Sequence, residues 1–230
     1  MDAQVRSFLR GQVSDDEVRA LLAGINHDHN ARYALEGLAR DPSSFDILVA
    51  DADLRVAGDL ILLEERAFLL TVNGSLLVDG LYRDYDSPES YVLVSGDMRA
   101  RDVITTGYLE IGGSLATGTL IGDYNDCTAR IGGDVHARVF YGGDHHFTIG
   151  GRLIADAVLM LDPYLTDIAV KPPMIRDDDP RMLGYLDQEL LEEGEDDDGN
   201  PAFVGIDRAA LIKRVAAGIP LRSGTAPRTG

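Results

Sequence analysis

Six segments of this chain repeat one pattern, and the repeat restricts the fold more than any other feature. LRVAGDLIL, LTVNGSLLV, VLVSGDMRA, LEIGGSLAT, ARIGGDVHA and FTIGGRLIA each set an aliphatic residue two positions before a glycine and another two positions after it. The glycines are Gly58, Gly74, Gly96, Gly113, Gly133 and Gly151, spaced 16, 22, 17, 20 and 18 residues apart. Val56, Val72, Val94, Ile111, Ile131 and Ile149 precede them; Leu60, Leu76, Met98, Leu115, Val135 and Leu153 follow. Seven residues after the glycine comes a third apolar column, Leu81, Val103, Leu120, Phe140 and Val158, from which the first repeat departs with Glu65. Period-two alternation is the mark of a strand. It turns Arg55, Thr71, Leu93, Glu110, Arg130 and Thr148 outward, and the glycine supplies the backbone freedom of a corner.

Three inward positions per period of roughly 18–20 residues fit stacked coils about 4.8 Å apart, the geometry of a parallel β-helix. A sandwich of hairpins also uses short strands but does not account for three repeating inward positions. The expected fold is therefore mainly β: a single-stranded parallel β-helix, or solenoid, of about six coils over residues 45–165. A helical N-terminal cap is expected over 1–44, and an acidic linker with a helical C-terminal segment over 166–230.

The flanking helices rest on local signals. Ser14 and Glu17 form a capping box ahead of Val18, Leu21, Leu22 and Ile25. Asn30 caps a second helix carrying Ala34, Leu35 and Leu38, and a short helix is expected around Val5, Phe8 and Leu9. Pro180 after Asp179 opens a helix with Leu183, Leu186 and Leu190 on one face. Asp207 caps a last one with Leu211, Ile212 and Val215, closed by Gly218. Open solenoid ends invite aggregation, so these flanks are expected to cover both ends and hold the protein as a monomer or small closed oligomer.

The net charge of −18 disfavours nucleic acid and anionic lipid as partners and favours a basic protein surface. Residues 177–198 hold eleven acids and one arginine, a net −10, and read as a charged linker. One cysteine, Cys127, excludes an internal disulfide. No apolar run reaches the length of a membrane span and no signal-peptide pattern is visible, so a cytoplasmic protein is expected.

The corner motifs at 56–60, 72–76, 94–98, 111–115 and 131–135 resemble those of bacterial β-helix proteins of the bactofilin, or polymer-forming, kind, over roughly residues 46–160. That resemblance implies a solenoid; in bactofilins bare solenoid ends polymerise. The chain is also similar to a looser group of bacterial solenoid proteins with such YND and DHH loops, some associated with polymorphic-toxin immunity.

Chemistry concentrates in IGDYNDCTARIGGDVHARVFYGGDHHFTIGG, residues 121–151. Asn125 and His145 each lie twelve residues after a corner glycine, Asp126 and His146 thirteen, and Tyr124 and Asp144 eleven. Stacked corners are therefore expected, with Asn125 beside His145 and Asp126 near His146. Asp84, Tyr85 and Asp86 share a similar phase, and with Asp123 they complete a polar, partner-facing edge. Such residues also populate β-helix corners simply because they tolerate tight turns. His27 and His29, Cys127 and the outward His136 receive no role. No cofactor and no metal is expected. The expected function is a non-catalytic protein-binding module, such as an immunity or antitoxin protein. The alternatives are a bactofilin-like assembly protein or a small β-helix enzyme acting on carbohydrate.

Overall fold

The computed structural model describes residues 5–9, 16, 20, 33–34, 46–87, 89–123, 126–161, 166–175, 179–195 and 201–223. It is a parallel β-solenoid of about six turns. In chain order its strands are β1 (Val5–Leu9), β2 (Asp46–Ala50), β3 (Leu54–Val56), β4 (Leu60–Ile61), β5 (Ala67–Val72), β6 (Leu76–Arg83) and β7 (Tyr91–Val94). There follow β8 (Met98–Thr105), β9 (Tyr108–Ile111), β10 (Leu115–Gly122), β11 (Thr128–Ile131), β12 (Val135–Gly142), β13 (His146–Leu161) and β14 (Thr166–Val170). Short strands β2, β5, β7, β9 and β11 pair in parallel to form one wall; β6, β8, β10 and β12 form the other. The long β13 runs through both walls, pairing with β11, β12 and β14.

Three apolar columns fill the space between the walls. Ala50, Val72, Val94, Ile111, Ile131 and Ile149 make the first. Leu54, Leu76, Met98, Leu115, Val135 and Leu153 make the second; Leu60, Tyr82, Val103, Leu120, Phe140 and Val158 the third. The expected first and second columns hold from Val72 and Leu76 onward and the third from Val103 onward; before these positions they slip. Ala50, not Val56, opens the first column, because the corner under Gly74 is Ala52–Asp53, without a glycine. Gly58 belongs to another corner, with φ +105° and its carbonyl accepting from the Gly80 amide. Leu60 therefore lies in the third column. A register shift between Val78 and Leu81 turns Tyr82 inward in place of Leu81.

The residue after each corner forms a ladder. The Asp53 Oδ1 accepts from the Ser75 amide at 2.7 Å, and the Ser75 Oγ from the Asp97 amide at 3.3 Å. Asp97 Oδ1 accepts from Ser114 N at 2.7 Å, Ser114 Oγ from Asp134 N at 3.1 Å, and Asp134 Oδ1 from Arg152 N at 2.8 Å. Each short polar side chain thus satisfies a corner amide that has left the sheet.

Helical flanks over the two solenoid ends are not what the described residues show. β1, expected as a helix, pairs antiparallel with β2, so the first coil presents an antiparallel neighbour instead of an open parallel edge. The helices expected over 14–38 lie outside the described residues except for Asp16, Ala20, Tyr33 and Ala34. Tyr33 stacks on Tyr108 with centroids 5.3 Å apart, and Tyr108 on Tyr91 at 4.8 Å, along the outer face of the short-strand wall. That contact lies on the side of the solenoid.

The C-terminal segment also packs on a side. It holds 3-10 turns at Pro180–Gly184 and Gln188–Leu190, an antiparallel ribbon of β15 (Leu191–Glu195) and β16 (Pro201–Ile206), and the helix α1 (Arg208–Ala216). Asp207 caps α1, accepting from Ala210 N at 2.9 Å, and Gly218 at φ +66° ends it, both as expected. The helix expected after Pro180 is only a 3-10 turn. Met182, Leu186, Leu190, Leu211 and Val215 cover Leu81, Ile104, Ile121, Val139, Tyr141 and Leu159 on the outer face of the long-strand wall, forming a second hydrophobic core. Among the described residues no helix is long and apolar enough to cross a membrane.

Candidate functional site

The edge where long strands turn into short ones is uneven, and the unevenness makes a cleft. The third coil turns tightly, from Thr105 to Tyr108, whereas the second and fourth coils carry longer loops over 84–90 and 123–127. The resulting depression of about 610 Å³ is lined by Ile61, Leu63, Glu64, Arg83, Asp84, Tyr85, Asp86, Ser87, Thr106, Asp123, Asp144 and Arg208. Five of the ten residues expected on a polar edge meet here: Asp84, Tyr85, Asp86, Asp123 and Asp144.

They do not all face a partner. Asp84 is 1% exposed and holds the tight turn of the next coil. Its Oδ1 accepts from the amides of Thr106 (2.5 Å) and Gly107 (2.8 Å); its Oδ2 accepts from the hydroxyls of Thr105 (2.8 Å) and Tyr82 (3.0 Å). Burial raises its carboxyl above the usual range, and those four donors oppose the rise. Tyr85 is also buried, its hydroxyl donating to the Ala67 carbonyl at 2.9 Å. The rim is formed by Asp86, Asp123, Asp144 and Glu64. Arg208, the first residue of α1, reaches from the C-terminal segment to Asp123 at 3.0 Å and Asp144 at 2.8 Å. Asp123 is pushed up chiefly by burial, with Asp144 and Asp86 adding to the rise and Arg208 opposing it.

The remaining expected residues lie elsewhere. Tyr124 and Asn125 are outside the described residues, so the expected Asn125–His145 neighbourhood lies there too. His145 is fully buried, its ring edge-on to Phe147 at 5.2 Å, and is not partner-facing. Gly122 makes room for it: a Cβ there would come within 2.6 Å of the His145 Cβ and 2.3 Å of the Phe147 ring. His146 lies opposite Thr128, not Asp126, in the column of Tyr108 on the short-strand wall. Counting from the upstream glycine fails because Gly122 aligns with Gly142 but Thr128 with His146, so the later loop is two residues shorter. Asp126 is exposed, and its carbonyl accepts from the Tyr108 hydroxyl at 3.1 Å.

Sequence reasoning missed Arg83, Glu64, Thr106 and Arg208. Arg208 is the most telling, since it lies 64 residues from Asp144 and only its place at the start of a helix is visible locally. Its guanidinium occupies the space between two carboxylates that a cation would otherwise take. Among the described residues no group of three or more His, Cys, Asp or Glu side chains is placed to hold a metal ion. The Cys127 thiol is buried, and burial followed by neighbouring acids, Glu89 foremost, pushes it far above its ordinary value, which keeps it protonated. Comparison with known protein families, curated proteins and solved structures gives no match to this chain.

Proposed function

We propose that the chain is a non-catalytic protein-binding module, of the kind an immunity or antitoxin protein represents, which presents the loop-edge cleft to a basic protein surface. The observation that carries this reading is the cleft's charge on a rigid frame: five carboxylates, Glu64, Asp84, Asp86, Asp123 and Asp144, against the guanidiniums of Arg83 and Arg208. Asp84 anchors the frame from within, and the others are supported on stacked coils, so the recognising charges need little ordering on binding. An acid-lined face attracts a basic partner and speeds its encounter. The test is fluorescence anisotropy with a labelled oligo-arginine peptide. Replacing Glu64→Gln together with Asp86→Asn is expected to weaken binding about tenfold, equivalent to about 1.4 kcal/mol. Replacing Glu192→Gln together with Glu193→Gln, two exposed acids on β15, is expected to change it little. The reverse ranking would overturn the reading.

A second reading, end-to-end assembly as in bactofilin-like solenoids, is favoured by the last coil. Val170 is 55% exposed on β14, and Met174, four residues farther along the chain, 44%. Sedimentation velocity separates the two readings. A binding module stays a monomer or small closed oligomer; an assembly protein grows with concentration, and Val170→Asp stops the growth.

A further inference from the structure

Part of the outer face of the long-strand wall gathers arginines in an otherwise acidic protein. Away from the part covered by the C-terminal segment, a groove of about 1010 Å³ runs across the coils. One column of outward residues on its floor reads Arg55, Leu77, Arg99, Ala116, His136 and Ile154 in register. Two residues farther along the strands come Arg101, Gly118, Arg138 and Asp156. The fourth coil thus offers only the small residues Ala116, Thr117 and Gly118 to the groove, while cationic side chains stand on the coils to either side of it. Gly118 lies so close to the coil below that a Cβ would come within 2.8 Å of the Arg101 carbonyl oxygen.

These cations are not equally engaged. Arg55 pairs with Asp79 at 3.1 Å, and Arg101 with Asp102 at 2.8 Å. Arg99 and Arg138 are exposed and make no ion pair among the described residues. Asp156, the groove's other acid, follows Arg138 on the next coil. Asp79 balances Arg55, and Asp102 with Asp59 at 3.9 Å balances Arg101, which leaves Arg99, Arg138 and His136 facing Asp156 alone in a chain with 39 acids and 21 basic residues.

We propose that this groove binds the tetrahedral oxyanion of a phosphorylated ligand, seated over Ala116 between Arg99 and Arg138, with His136 on the same column as Arg99. Arg99 and Arg138 stand on the coils to either side of the fourth, two strand spacings or about 10 Å apart across the coils. A phosphoryl group held between two guanidiniums by N–H···O⁻ bonds of about 2.8 Å spans a gap of that order once the arginine side chains lean inward. Arginine suits the role because its fork donates two parallel bonds to one oxyanion. The small residues of the fourth coil leave the space the ligand takes.

The test is calorimetric titration of the full chain at low ionic strength, with inorganic pyrophosphate and with a phosphoserine peptide. At least one is expected to bind with one-to-one stoichiometry despite the protein's negative net charge. Arg99→Gln combined with Arg138→Gln is expected to lower that affinity by about tenfold or more. Arg55→Gln, which removes an arginine already paired with Asp79, is expected to leave it unchanged. All three positions are exposed, so folding is not at stake. Tighter binding of pyrophosphate marks a free phosphate ligand, and tighter binding of the peptide a phosphorylated protein segment. Failure of both probes to bind, or binding that Arg99→Gln with Arg138→Gln does not alter, would overturn the proposal.

Discussion

Asp84→Asn and Asp84→Ala should separate a structural carboxylate from a charge the function requires. Both backbone amides, Thr106 and Gly107, donate to Oδ1, whereas both hydroxyls, Thr105 and Tyr82, donate to Oδ2. An asparagine keeps an oxygen at the first position. At the second its NH2 donates to the two hydroxyls, which rotate and accept. The turn of the third coil then survives, and the expected loss is about 1 kcal/mol or less. Alanine leaves the buried Gly107 amide and the half-buried Thr106 amide without an acceptor, at up to about 1–3 kcal/mol each, or about 2–6 in all. The carboxylate's own burial penalty, visible in its raised pKa, is relieved in both variants and moves both toward the lower figures. A loss of several kcal/mol is a large share of a domain's stability, which is about 5–15 kcal/mol. Urea unfolding followed by far-ultraviolet circular dichroism and by tyrosine fluorescence measures it, the chain having nine tyrosines and no tryptophan. Coincident transitions are required before the two variants are compared. Equal losses for Asn and Ala would refute the reasoning, because the ionised carboxylate itself would then be needed. Negligible loss for both would show that Asp84 does not hold the turn.

Ile131→Asp is expected to unfold the solenoid, since Ile131 is 2% exposed in the first column and a buried unpaired carboxylate costs several kcal/mol; an unchanged melting curve would show the inward register to be wrong. The C-terminal segment is expected to loosen in acid. Asp187 is held below its usual 3.8 by the Ser223 hydroxyl and amide and by Arg214. A carboxyl whose folded pKa is depressed contributes above its unfolded pKa and stops contributing as pH falls through the folded one. Pepsin cleavage within 179–223 should therefore rise as pH drops below about 3.8, and Asp187→Asn should be cut readily already above it. The same pH profile in Asp187→Asn would rule the latch out.

The solenoid was legible because its signal is carried by position: apolar residues recur at the same three places, and from Gly74 to Gly151 the corner glycines do stack. The first coil misleads because Val56-Ala-Gly58-Asp-Leu60 copies the corner pattern while its backbone occupies the corner beneath Gly80. Loop phase was illegible for a simpler reason: counting from one glycine carries no information about a loop two residues shorter. The lateral clamps left a trace that alternation alone did not expose. Consecutive apolar pairs such as Val103–Ile104, Leu120–Ile121 and Phe140–Tyr141 serve two cores, one residue inward and the next outward beneath the C-terminal segment. Amphipathic flanks announce that they bury one face but not against which surface. The acids of the cleft were visible as residue types; Arg208, which ties two of them to α1, is a long-range contact with no local signature.

The corner ladder bears on how such a chain can lengthen. From Asp53 to Asp134 its members alternate acid and hydroxyl, so no carboxylate lies directly above another. Duplicating a single coil breaks that parity and sets two like groups one strand spacing apart. For two aspartates this is a repulsion of about 1 kcal/mol even in water. Duplicating a pair of coils preserves it. Arg152 closes the sequence by giving both its amide and its guanidinium to Asp134, at 2.8 Å each, so the terminal position is occupied by a cation that cannot serve as the next acceptor. A lineage extending this solenoid at that end must therefore replace Arg152, while one extending it from within grows by two coils at a time.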